Sequence, residues 1–272
     1  MRMSWKLGRV AGIDLYLHPT FLLLLAFVGL STRGQGPAAV ALTVATFGCV
    51  LLHELGHALA ARRFGIATED ITLYPIGGVA RLRRMPRAPG AELLIALAGP
   101  AVNVGLAAGL ALGIGAAVVV APFALAGGVF GFLATLLEIN LGLALFNLLP
   151  AFPMDGGRVL RALLSLPMGR GRATEVAATL GQVLAIALPA VLLAFGMFSP
   201  FHLVMAAFLY LAAGAELAQV RAEENRHDDE DGDDRDAWSA PPGYRWVSRG
   251  RGVWQLAPIP VTAGPYRARR WR

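Results

Sequence analysis

Apolar runs separated by short polar segments dominate residues 1–222. A helix needs about 20 apolar residues to cross a bilayer core. Six runs come near that length: Leu15–Leu30, Ala38–Ala61, Ala91–Ala121, Gly127–Leu149, Ala173–Met197 and Phe201–Val220. The first is short. The third is long and carries Gly105, Gly109 and Gly113, which suit close helix packing in lipid. The pattern predicts an all-α polytopic membrane protein with about six transmembrane helices. After Val220 it changes. Residues 223–236 (EENRHDDEDGDDRD) form an acidic run that repels itself and reads as a disordered linker. Tyr244–Val261 could form a small hairpin around Arg249–Gly252, and the end, YRARRWR, is basic and aromatic, suited to anionic headgroups. A flexible tail is the preferred reading of this end. The expected division is a six-span membrane domain, 1–222, and an acidic linker with a cytoplasmic tail, 223–272.

Composition agrees. The 272 residues are 56% hydrophobic and 15% charged, with a mean hydropathy of +0.57. Soluble domains are about 45–50% apolar and about 25% charged. Cys49 is the single cysteine, which excludes a disulfide framework and a cysteine-based metal site. The N-terminus lacks a small-residue cleavage site after a short apolar core, so no removable signal peptide is expected. The net charge of +6 sits wholly in residues 1–222. If six spans alternate, Arg2, Lys6, Arg9, Arg62, Arg63, Arg81, Arg83, Arg84, Arg87, Arg158, Arg161, Arg170, Arg172 and Arg221 share one side, and only Arg33 lies on the other. That asymmetry places both termini in the cytoplasm. It also accounts for the basic excess, so no nucleic-acid partner is expected.

One stretch resists the apolar pattern. LLHELGHALA, Leu51–Ala60, puts His53, Glu54 and His57 inside the second run. Unpaired, such groups are expensive in lipid. Histidines four apart stack on one helix face, the separation two imidazoles need to bind one Zn²⁺, and the adjacent Glu54 is placed to take a proton from a metal-activated water. The competing reading is a pair of buried histidines satisfied by carbonyls. Zinc also needs a third protein ligand. Position 63, where one soluble metalloprotease class has a third His, is an Arg; Glu69 and Asp70 are too close and Glu92 too far for another. The candidate is Asp155, in NLLPAFPMDGGRVL (Asn147–Leu160), where Pro150 and Pro153 break the fourth helix and Gly156 and Gly157 permit a tight turn. Depth is consistent. At 1.5 Å per residue His57 lies roughly 8 Å from the cytoplasmic end of span two, and span four runs in the same direction before Asp155.

HELGH in one span and NLLPAFPMDGG at the end of another resemble the site-2 protease family of zinc intramembrane metalloproteases, peptidase family M50. AGPAVN (Ala98–Asn103), YPIGGVARL (Tyr74–Leu82) and GIDLYLHPTF before span one are similar too. The likeness covers roughly residues 8–165. It implies one Zn²⁺ per chain on His53, His57 and Asp155, Glu54 as general base, and Asn147, eight residues before Asp155, on the substrate or its oxyanion. Met154 departs from the commoner Leu but conserves volume. Ile71–Leu82 would be a membrane-associated hairpin between spans two and three, whose edge pairs with unwound substrate, with Gly77 and Gly78 allowing close backbone approach; an ordinary hairpin covering the bundle is an equal alternative. The chain has no room for a PDZ insertion, and its tail resembles no CBS pair. Asn103 and Gly99, one turn apart, read as packing residues in preference to lining a water path to zinc. Asn140 shares a face with Asn147, which fits simple interhelical hydrogen bonding or, as the alternative, a role near the site. His18 and His202 read as structural.

The function expected is cleavage of other proteins' transmembrane segments near their cytoplasmic end, in regulated intramembrane proteolysis. A transporter or channel is the rival, disfavoured because no internal repeat is visible, and an inactive relative that binds membrane proteins is the second. Twenty-three arginines against one lysine suggest a prokaryotic source and hence the inner (cell) membrane.

Overall fold

The computed structural model describes residues 4–32, 34–83, 86, 88–120, 128–237, 240, 244–248 and 254–258. Arg2, Arg33, Arg84, Arg87, the Arg249–Gly252 turn and the terminal YRARRWR lie outside the described residues. The fold is mostly helical. Helices α2 (Gly36–Arg63), α3 (Pro89–Val120), α4 (Gly128–Asn147), α6 (Arg170–Ala194) and the Pro200–Ala222 part of α7 (Pro200–Ala237) are each long and apolar enough to cross a membrane. They expose Leu94, Leu112, Val119, Ile186, Leu193 and Leu211, side chains that hydrocarbon accommodates and water does not.

The first expected span differs. Helix α1 (Thr20–Ser31) has 12 residues, and Leu15 belongs to strand β2 (Ile13–Leu17). Ile13 and Leu15 are buried while Asp14 and Tyr16 are half-exposed, a strand's period of two. Pro19 then separates strand from helix, because it fixes φ and offers no N–H to a ladder.

The hairpin is likewise part of something larger. Strands β1 (Trp5–Val10), β2, β3 (Thr68–Tyr74) and β4 (Gly77–Leu82) form one sheet in that order. The β1–β2 and β3–β4 pairs are antiparallel, and β2–β3 is parallel, Leu15 opposite Ile71. Ile13, Leu15 and Ile71 pack on Leu55 and Ala58 of α2. Those α2 residues are on the face opposite His53 and His57, and Glu54 falls between the two faces, about 100° round from His53. The sheet therefore clamps the metal-motif helix from behind and brings β4 alongside Glu54. β4 is an edge strand, bonded to β3 on one side.

Helix α5 (Asp155–Met168) replaces the tight turn expected at Asp155–Gly157. The two glycines serve close packing instead. A Cβ on Gly156 would collide with the carbonyls of Leu148 and Leu149, and one on Gly157 with the backbone of Ala151 and Phe152. The intervening loop is pinned from its other side. Phe152 is 1% exposed, its N–H donates to Ala177 O of α6, and its carbonyl occupies the space a Cβ on Gly181 would need. α5 is held further by a buried charge cluster: Arg161, 1% exposed, pairs with Glu92 of α3 and Glu216 of α7, and Arg170 also reaches Glu92 at 3.6 Å.

Residues Arg221–Arg272 form a second compact unit. In it α7 continues to Ala237, through the acidic segment expected to be a disordered linker. Ala and Glu in AELAQVRAEE, leading into that segment, are good helix formers. Strands β5 (Tyr244–Ser248) and β6 (Trp254–Pro258) pair antiparallel, Trp246 opposite Leu256, giving the hairpin alternative at this end.

Candidate metal centre

α2 and α3 approach closely where the motif lies. Gly56 packs under Ala98 and Val102, and a Cβ on Gly99 would run into both imidazoles, 2.7 Å from His53 Nε2. Gly99 is thus the space the two rings occupy. The expectation that it serves packing is too general; it is packing against the histidines themselves. His53 and His57 are 6% and 7% exposed.

The three expected ligands meet here. His53 Nε2 and His57 Nε2 are each 3.1 Å from Asp155 Oδ2, and 3.1 Å from one another. Asp155 occupies the first turn of α5, where a carboxylate is favoured by the helix dipole. Each Nδ1 faces away from this triangle. His57 Nδ1 is 2.7 Å from Ile95 O, and His53 Nδ1 is 2.5 Å from Asn103 Oδ1. Ile95 O belongs to α3, one helical turn before Gly99. Since a carbonyl only accepts, the Nδ1 nitrogens carry the ring protons and the Nε2 nitrogens present lone pairs. Two imidazole nitrogens and a carboxylate oxygen then face one another in a buried space, where a metal cation or a shared proton relieves their repulsion. Nitrogen and oxygen ligands of a tetrahedral zinc stand about 3.3–3.4 Å apart. Spacing, burial and donor chemistry all fit that ion. Among the described residues this is the one His/Cys/Asp/Glu group arranged to hold a metal.

Glu54 is half-buried beside the triangle, and Gly78 of β4 lies against it: a Cβ there would be 2.7 Å from Glu54 Cγ and 3.3 Å from Val50 Cγ1. Gly77, opposite Tyr74 at the β3–β4 turn, has φ +137°, a conformation open to glycine. Asn147 closes α4, with Nδ2 donating to Leu143 O at 2.9 Å within its own helix. Asn103 and Asn140, both 0% exposed, are joined, Asn103 Nδ2 donating to Asn140 Oδ1 at 3.0 Å. The sequence does not announce the link between Asn103 and His53; its one signal is an amide a turn away from a glycine in an apolar run. His18 hydrogen-bonds Thr20 and stacks on Tyr74, and His202 Nδ1 accepts from Ser199 N at the start of α7. Both sit apart from the metal triangle.

Hydrophobic helices of spanning length around a buried His–His–carboxylate triangle define the chain as a multi-pass membrane protein with an internal metal centre. Its relatives narrow that class. The model of peptidase family M50 matches residues 41–121 and 114–188. A zinc metalloprotease of Methanocaldococcus jannaschii is 39% identical over 217 residues, 79% of this chain and 60% of that protein. Stage IV sporulation protein FB of Bacillus subtilis is 32% identical over 155 residues, 56% of this chain and 48% of that protein. The solved structure of the site-2 protease from Methanocaldococcus jannaschii superposes with a TM-score of 0.58 at 37% identity, covering 79% of this chain and 95% of that one. The chain belongs to peptidase family M50. It spans about half to three-fifths of the length of the curated relatives it matches.

Proposed function

We propose that the protein is a zinc-dependent intramembrane endopeptidase that cuts transmembrane segments of other membrane proteins. The observation that carries this reading is the buried triangle of His53 Nε2, His57 Nε2 and Asp155 Oδ2, three ligand-type atoms 3.1 Å apart that suit one metal ion. Zinc, when bound, supplies a Lewis acid that activates water and polarises a scissile carbonyl. His53, His57 and Asp155 hold it. Glu54 takes a proton from the attacking water and passes it to the leaving amine. Asn147, at the end of α4, offers its amide to the substrate or to the developing oxyanion.

The substrate backbone must be unwound before attack, because a helical peptide bond is shielded by its own hydrogen bonds. The free edge of β4 can hold the unwound form, adding an extended segment by backbone pairing, and Gly78 keeps the strand within van der Waals reach of Glu54. Gly77 and Gly78 together leave room for a second backbone beside the base. If the short α1 still carries the chain across the bilayer as a first crossing, the arginine asymmetry puts both termini in the cytoplasm and the centre in the cytoplasmic half, so cleavage falls near that face.

The test is cleavage of a model transmembrane substrate by purified protein in bicelles. Glu54→Gln should abolish cleavage while about one zinc per chain is retained. Activity persisting in that variant overturns the assignment.

A further inference from the structure

Both imidazoles must present Nε2 lone pairs to the same point, yet they are held differently. His57 is fixed directly by a backbone carbonyl, Ile95 O. His53 is fixed by a side-chain amide, Asn103, and an amide can rotate to offer either its oxygen or its nitrogen. Offered the nitrogen, His53 Nδ1 would accept, the ring proton would move to Nε2, and the lone pair facing the metal site would be lost. Something must set the direction of Asn103.

The hydrogen bonds beyond it do so. Asn140 Nδ2 is 2.8 Å from Leu136 O of the same helix and 3.3 Å from Cys49 Sγ. Leu136 O only accepts, so Asn140 must turn its nitrogen there and its Oδ1 toward Asn103. Asn103 must then give Nδ2 to Asn140, at 3.0 Å, and Oδ1 to His53. His53 Nδ1 is left to donate. One carbonyl of α4 thus dictates, through two amides on α4 and α3, which nitrogen of a histidine on α2 is free. Both asparagines are fully buried, where no water competes for these groups.

We infer that Asn103 and Asn140 are positioning residues which lock His53 in its Nδ1–H tautomer and so preset the metal-binding lone pair. This rests on the zinc reading above, and it assigns Asn140 a role that neither contact with metal nor contact with substrate would give it. Packing alone makes a different forecast. If Asn140 merely fills space, Asn140→Leu, similar in size and apolar, is tolerated better than Asn140→Asp. If it sets polarity, the order reverses, because Asp keeps an acceptor oxygen for Asn103 Nδ2 and Leu does not.

The experiment uses the full chain in detergent or bicelles with two readouts. Zinc affinity is measured by chelator competition. The His53 tautomer is read from ¹⁵N-histidine spectra of the zinc-free protein, with His57 as internal reference. Wild type should show His53 as Nδ1–H. Asn103→Leu and Asn140→Leu should lose that fixed tautomer and weaken zinc binding roughly 10–100-fold, the usual range for partners of metal-bound histidines, with His57 unchanged. Asn140→Asp should recover most of the affinity. If Asn140→Leu does not fold, Asn140→Ala makes the same polar deletion without overpacking. Asn140→Leu or Asn140→Ala with wild-type tautomer and affinity, or Asn140→Asp binding zinc more weakly than Asn140→Leu, overturns the inference. Wild type that binds no zinc while showing the fixed tautomer would instead overturn the zinc reading and leave the relay standing.

Discussion

At the scale of single residues, the centre is built as much by absent side chains as by present ones. Gly99 leaves the volume the imidazoles fill. Gly99→Ala should therefore lower zinc content at least roughly tenfold, read by metal analysis of purified protein, with a smaller effect on helix content by circular dichroism. Gly78→Ala pushes on Glu54 rather than on the ligands. It should cut kcat by roughly tenfold or more, the scale of a misplaced general base, while zinc content stays at wild type. The proposed ligands are legible in the sequence. Histidines four apart in an apolar run have one economical explanation, and span direction puts Asp155 at the same depth. The supporting residues are not legible. Whether Gly99 or Asn103 faces a histidine or merely a neighbouring helix depends on how α2 and α3 cross, which hydropathy does not encode.

At the scale of elements, five of the six expected spans correspond to long helices, because a run of about 20 apolar residues has few other fates. The errors lie where two periodicities overlap. Leu15–Leu30 reads as one apolar run, and the strand period of Ile13–Leu17 is too short to stand out against it. The two-glycine turn at Asp155 is a helix start, since glycine marks close approach as readily as a bend. That helix, α5, is anchored by Arg161. Removing one partner of a buried pair leaves a charge uncompensated. Arg161→Met should lower stability by about 3–5 kcal/mol, followed by thermal unfolding in detergent. Adding Glu92→Met to it should recover part of the loss; Glu216 keeps the recovery incomplete.

At the scale of the molecule, the proposed orientation, with six alternating crossings, would put Arg33 on one side and the other arginines of residues 1–222 on the other. Cysteine substitutions in a Cys49→Ala background should label from the cytoplasmic side at Glu69 and from the opposite side at Gly34, tested with a membrane-impermeant maleimide in inside-out and right-side-out vesicles. Labelling of both from one side would reverse the orientation argument. A strong chelator should inactivate the protein, and zinc should restore it.

The parallel pairing of β2 with β3 has a consequence for how the protein can be handled. The opening stretch of chain, which holds none of the proposed site residues, is the inner neighbour of the hairpin that carries Gly77 and Gly78. Trimming the polypeptide to begin at Thr20 would spare every helix yet strip that hairpin of its buttress. Such a shortened protein should still bind zinc and fail to cut, the outcome expected when the anvil remains and the vice is gone.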